Sequence, residues 1–246
     1  MSRKLTAETG RGEKIHLSVD GEYIATTNKT FWYSLGLSSP CQVEEDQLQE
    51  ILDRVQDNRM YEKALDLLTQ RDYSHRELSD KLVQKEAQRR RTSRGKSRDF
   101  GVTDASYSSV TLDAERPDYD ALRQRAEDIC LRLEEAGLLN DERFARSYAA
   151  ELLRRKHLST RGLKQELRKK GVARETADIV VEELAPDPAE SIRTLLQTKY
   201  RTRNLHDEKD RRRTVNALLR LGYTYGEINN AISEFSTGDS YPEDLY

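Results

Sequence analysis

FARSYAAELLRRKHLSTRGLKQELRKKGVARETADIVVEEL, residues 144–184, decides the fold. Phe144, Tyr148 and Leu152 fall four apart and share one helical face. Leu163 and Leu167 mark a second helix, which Gly171 ends by supplying a left-handed backbone cap. Ala177, Val180, Val181 and Leu184 then form a stripe at i, i+3, i+4 and i+7. Three short amphipathic helices in about forty residues cannot each bury an apolar face alone, so they must pack on one another.

Working outward, the unit recurs. Toward the C-terminus it reads Ile192, Leu195, Leu196, then Val215, Leu218, Leu219 and Gly222, then Ile228, Ala231, Ile232 and Phe235. Toward the N-terminus it reads Tyr61, Leu65, Leu68, then Leu78, Leu82, and after a gap Leu122, Ala126, Ile129, Leu133. Helix-start signals agree with these stripes. Ser74–Glu77 and Thr224–Glu227 read as capping boxes, and Asp187-Pro188 places proline at a first helical position, where a missing N–H costs nothing.

The spacing exposes an insertion. Leu78/Leu163 and Leu82/Leu167 are 85 apart, whereas Gly171/Gly222 are 51 apart. The difference of 34 equals the polar, arginine-rich stretch 86–119, which is expected to be disordered inside the first copy. Ahead of the helices, Ile15, Leu17 and Val19 alternate up to Asp20-Gly21, a pair that accepts the positive φ of a tight hairpin turn.

The fold class read from this is mainly α: tandem three-helix repeats in an elongated curved array, with a small N-terminal β-hairpin extension. The expected parts are the hairpin extension (1–40), a first repeat (41–139) interrupted at 86–119, a second repeat (140–186), a third (187–236) and a tail (237–246).

Composition narrows function. Of the 246 residues, 35% are hydrophobic and 35% charged, with a mean hydropathy of −0.89. Such a chain offers no run of ~18 apolar residues for a membrane span, and no unbroken Val/Ile strands of a buried α/β enzyme core. Met1–Gly10 lacks an apolar stretch, so the expectation is a cytoplasmic protein with Cys41 and Cys130 reduced. Enzyme signatures are missing: Gly10-Arg11-Gly12 is too short for a phosphate loop, and His16, His75, His157 and His206 are scattered. Glu44-Glu45 and Glu134-Glu135 read as solvated faces of helices. No cofactor and no metal are expected.

The charge pattern says more. Residues 1–60 hold ten acids and seven bases, whereas Leu152–Arg174 holds nine bases against one acid, Glu166. That excess cannot be neutralised by i,i+4 pairing. Basic stripes bind polyanions through counterion release. The candidate contacts are therefore Arg154, Arg155, Lys156, Arg161, Lys164, Arg168, Lys169 and Lys170, with Arg211, Arg212 and Arg213 in the last copy. Single- or double-stranded DNA, or an acidic protein groove, fits them as partner. No heptad seam is sustained, so a monomer is expected.

Three motifs carry a resemblance. They are Arg71-x-x-Ser74-x-x-Glu77-Leu78-x-x-Lys81-Leu82, then Leu133-x-x-x-Gly137-Leu138-Leu139-Asn140-Asp141-x-x-Phe144-Ala145, then Gly162-x-x-x-x-x-Leu167-x-x-Lys170-Gly171-Val172. The chain resembles the RecX family of regulatory proteins over residues 60–86 and 120–235. It departs from the family at Lys85-Glu86, where a glycine is usual after the first copy's second helix. The resemblance implies a non-enzymatic modulator that binds along the groove of the RecA–DNA filament. It would mainly inhibit RecA ATPase, strand exchange and filament growth in recombination, DNA repair and the SOS response. The alternative is an autonomous helix-turn-helix-like DNA-binding protein; a scaffold repeat with some other protein partner is a third.

Overall fold

In the computed structural model, which describes residues 2–99, 118–184 and 187–238, four strands open the chain. They are β1 (Arg3–Thr9), β2 (Lys14–Val19), β3 (Glu22–Asn28) and, after the short helix α1 (Lys29–Ser34), β4 (Cys41–Val43). Asp20 and Gly21 take φ of 51° and 88°, so the expected turn joins β2 to β3. That hairpin proves to be half of a four-stranded antiparallel sheet in the order β3-β2-β1-β4. Sequence reading missed β1, in which Leu5 and Ala7 alternate among polar neighbours, and β4, which is three residues long.

Side chains alternate across a sheet, and here one face gathers Leu5, Ile15, Leu17, Val19 and Val43 with Trp32. The first half of α2 (Glu45–Leu68) covers it with Leu48, Ile51 and Val55. Leu5 and Leu17 are fully buried, each stabilising by about 1.5–3 kcal/mol. Glu44 is the N-cap of α2, in a reciprocal box with Gln47 rather than on the helix face.

α3 (His75–Asp99) and α4 (Tyr119–Glu135) follow. Two expectations need correction here. The buried stripe of α2 is Met60, Ala64 and Leu67, so Tyr61, Leu65 and Leu68 flank it half-buried, one residue out of phase. And α3 does not stop near Lys85. Residues 86–99 remain helical, because Ala, Gln, Lys and Arg are strong helix formers and no glycine or proline precedes Gly95. Glu86 is buried and paired with Arg59 at 2.6 Å and Arg89 at 3.2 Å. The rest of the insertion, 100–117, lies outside the described residues. Arg125 of α4 clamps α2 through Asp53 (2.6 Å) and Asp57 (2.7 Å), and Leu122, Ala126, Ile129 and Leu133 are buried as expected.

The chain divides into two compact units, Met1–Arg71 with Leu78–Leu139, and Asp72–Glu77 with Asn140–Tyr246. Among its described residues the second holds helices alone: α5 (Asp141–Lys156), α6 (Thr160–Lys169), α7 (Arg174–Leu184), α8 (Pro188–Gln197), α9 (Glu208–Arg220) and α10 (Tyr225–Gly238). One core gathers Phe144, Leu152, Leu163, Leu167, Ala177, Val180 and Val181; Gly171, at φ 86°, follows α6. The other gathers Ile192, Leu195, Leu196, Val215, Leu218, Ile228, Ala231 and Ile232, with Phe235 packed against it. Leu219 is 42% exposed, against expectation, because Leu221 turns inward and packs on both cores.

A joint holds the two cores together. The Ser159 amide donates to the Leu221 carbonyl at 3.1 Å, and the Tyr223 hydroxyl donates to the His157 carbonyl at 2.8 Å. Burial pushes the Tyr223 phenol's pKa up, which keeps it a donor. A Cβ on Gly162 would strike the Leu221 carbonyl, and one on Gly222 would strike Gly162. The same device occurs 85 residues earlier. Ser74 donates to the Lys170 carbonyl and accepts the Glu77 amide at 3.2 Å, while the Lys170 ammonium meets Glu77 at 2.7 Å. In both joints, a serine N-cap sits on the turn that ends a later helix.

Candidate functional site

α6 carries the site because of how its ends are fixed. α5 stops at His157, whose φ of 50° turns the chain. Ser159 then caps α6, accepting the Gly162 amide at 3.2 Å. With Gly162 pressed on the Leu221 turn and Leu163 and Leu167 fully buried, rotation of α6 is set. Arg161, Lys164, Gln165, Arg168 and Lys169 are left on the open face, at the i, i+3, i+4, i+7, i+8 spacing of one stripe.

That face forms one wall of a groove of about 850 Å³. Ser159, Thr160, Pro188, Gly222, Thr224 and Glu227 complete its lining. Three helices start on this groove: α6 at Thr160, α8 at Pro188 and α10 after its cap Thr224. Each contributes a positive dipole end. Glu227 is the acid of the lining, and its carboxylate accepts the Thr224 amide at 2.7 Å while Thr224 Oγ1 accepts the Glu227 amide at 3.3 Å.

The four lining bases are not equivalent. Lys164 binds Asp178 at 2.8 Å, the main reason the Asp178 carboxyl is held below its ordinary pKa. Lys169 pairs with Glu166 on its own helix at 2.7 Å. Arg161 and Arg168 make no ion pair within 4 Å among the described residues and stand exposed, although Arg168 lies near enough to Asp178 to help lower its pKa. Seven residues apart, they lie ~10.5 Å apart along the helix axis.

The remaining sequence candidates fall elsewhere. Arg154, Arg155 and Lys156 occupy the last turn of α5, where cations complement the helix dipole; Arg155 pairs with Glu151 at 2.6 Å. Lys170 is committed to the Ser74 joint, its ammonium on Glu77 and 5.5 Å from the Tyr148 ring. Arg211, Arg212 and Arg213 are exposed on α9 and do not line the groove; Arg213 meets Asp210 at 3.4 Å. The structure thus brings together Arg161, Lys164, Arg168 and Lys169 out of the eleven. Sequence reading missed Pro188, Thr224 and Glu227 as lining, and named Gly162 and Gly222 without their close approach. The signal was present, since Ser74 and Ser159 share the 85-residue spacing of the leucines.

Among the described residues, no group of His, Cys, Asp or Glu is arranged to hold a metal, and no helix is long and apolar enough to cross a membrane. The architecture is that of a helical-repeat protein with a small antiparallel sheet and an open groove lined by four bases. Known proteins resemble it. The model of the second three-helix domain of RecX matches residues 140–181, the stretch that carries α5 and α6. The regulatory protein RecX of Streptomyces lividans is 38% identical over 115 residues, 44% of this chain and 61% of that protein. The one from Serratia proteamaculans (strain 568) is 28% identical over 179 residues, 73% of this chain and 99% of that protein. This chain therefore spans about three fifths of the Streptomyces relative. A crystal structure of regulatory protein RecX superposes with a TM-score of 0.57 at 18% identity, covering 95% of this chain and all of that one. The chain is similar to the regulatory proteins RecX, and its residues 140–181 match that family's second three-helix domain.

Proposed function

We propose that this protein regulates a RecA-type recombinase: it binds the RecA–DNA filament and lowers its ATP hydrolysis, strand exchange and growth during recombination, repair and the SOS response. It acts in the cytoplasm as a monomer and carries out no chemistry of its own. The relatives' name, regulatory protein RecX, supports a regulatory role. The observation that carries the reading is the α6 face, where four bases line an open groove instead of a reactive pocket. Such a face contacts a polyanionic assembly over a broad area, and several modest contacts on neighbouring subunits add as avidity. Arg154 and Lys156 on α5, and Arg211 and Arg212 on α9, are further exposed bases of the second unit.

The test is RecA-driven strand exchange with the wild-type chain and with Arg161→Glu/Arg168→Glu/Lys169→Glu. The wild type is expected to suppress exchange and the variant to lose that suppression at unchanged helicity by circular dichroism. Full suppression by the variant places the contact face elsewhere.

A further inference from the structure

We infer that the groove between α6 and the starts of α8 and α10 is a phosphodiester-binding site, in which Arg161 and Arg168 grip the backbone of a nucleic-acid strand and Glu227 tempers the grip. It rests on the regulatory reading for its biological occasion, yet it assigns the protein its own nucleic-acid contact, made without a recombinase.

Four observations converge on a phosphate chain. A guanidinium presents a planar fork of donors that matches phosphate oxygens two at a time. Arg161 and Arg168 are the groove bases whose forks are not already engaged in an ion pair among the described residues, whereas Lys164 and Lys169 are each held by a carboxylate. The two arginines sit two helical turns apart on one face, a spacing suited to a repeating anion rather than a single one. Three helix starts and the hydroxyls of Ser159, Thr160 and Thr224 add neutral donors and positive dipole ends to the same lining.

The polar groups of the lining suit a backbone rather than a single anion: among the described residues they are four bases, the Gln165 amide, three hydroxyls and the Glu227 carboxylate.

Glu227 gives the proposal a second handle. Its carboxylate lies in the lining but is turned to the Thr224 amide as part of the α10 cap. Glutamine satisfies the same cap, so Glu227→Gln removes the one lining acid among the described residues with the cap retained. It is expected to bind nucleic acid a few-fold more tightly, an outcome that no loss of folding can mimic.

The experiment is fluorescence anisotropy of the full chain with a labelled oligothymidylate and with a labelled mixed-sequence duplex, titrated over a range of salt. Arg161→Gln/Arg168→Gln is expected to weaken binding roughly tenfold or more. The slope of log K against log salt should shrink by about 1.4 for the single strand or about 1.8 for the duplex, the value for two lost phosphate contacts. The probe that shows its own expected change identifies the strand form bound. Unchanged affinity and slope in the double variant overturn the assignment, as does competition by polyglutamate at equal charge concentration. A wild-type chain that inhibits RecA without groove-dependent oligonucleotide binding also overturns it, and leaves the regulatory reading standing. Groove-dependent binding by a chain that leaves RecA untouched supports the site and removes the regulatory reading.

Discussion

Replacing Gly222 by alanine tests the joint that sets the groove. Gly222 has φ of 94°, and an added Cβ would lie 2.5 Å from Ser159 Oγ, 2.6 Å from the Gly162 nitrogen and 2.9 Å from the Gly162 Cα. Ordinary contact begins near 3.4 Å, so the α6 start and the Leu221–Gly222 turn must part by nearly 1 Å. Two terms add. Holding alanine at positive φ costs roughly 1–2 kcal/mol, and forcing a methyl into a packed crossing costs about 1–3 kcal/mol. A net loss of about 3 kcal/mol lowers the Tm by roughly 6–12 °C in a chain of this length. The control is Gly226→Ala on α10, where an added Cβ meets nothing within 4 Å; relief of glycine's backbone entropy should raise stability there by up to about 1 kcal/mol. Differential scanning calorimetry of both variants measures the contrast. If Gly222→Ala melts with the wild type, or Gly226→Ala falls as far as Gly222→Ala, the crossing does not hold the two cores and the reasoning fails.

Asp20→Asn should blunt the acid sensitivity of the sheet. The Asp20 carboxyl is held below its ordinary pKa first by the Lys4 amide and then by the Arg3 guanidinium. Its stabilisation is therefore present above the unfolded-state value and lost as pH falls through the folded one; fluorescence of the buried Trp32 should show a flatter acid limb in the variant. Arg125→Ala should lower the denaturant midpoint of the first unit, at a cost of about 2 kcal/mol for the lost contacts to Asp53 and Asp57. Ser74→Ala and Ser159→Ala should each cost about 1 kcal/mol in urea titrations for the lost helix cap, and Ser74→Ala more, since its hydroxyl also donates to the Lys170 carbonyl whereas Ser159 meets Leu221 through the amide that alanine keeps. An equal effect from Ser34→Ala, an exposed serine outside both joints, would deny them that role.

Much of the helical frame could be read from the chain because each stripe was long enough for its period to show. Phe144 to Val181 and Ile192 to Ile232 lie in the cores their spacing requires. Reading failed where local signals were short or absent. β4 has three residues, and β1 earns its place only by pairing with β2, a tertiary partner no local pattern announces. The stripe of α2 was one residue out of phase because Tyr61, Leu65 and Leu68 are as apolar as Met60, Ala64 and Leu67, and period alone does not choose between adjacent faces. The end of α3 was misplaced because polarity was taken for irregularity, although arginine and lysine propagate a helix well. At the groove, the basic run marked α6 but not which of its bases share a face. Only the buried leucines and the Gly162 contact separate Arg161 and Arg168, which line the groove, from Lys170, which the joint consumes.

The most direct test of the account is the rate of ATP hydrolysis by RecA on single-stranded DNA, titrated with the full chain. The account requires the rate to fall with added protein, and to recover when Arg161, Arg168 and Lys169 are reversed in sign. A rate that stays level at every concentration of the wild-type chain contradicts it.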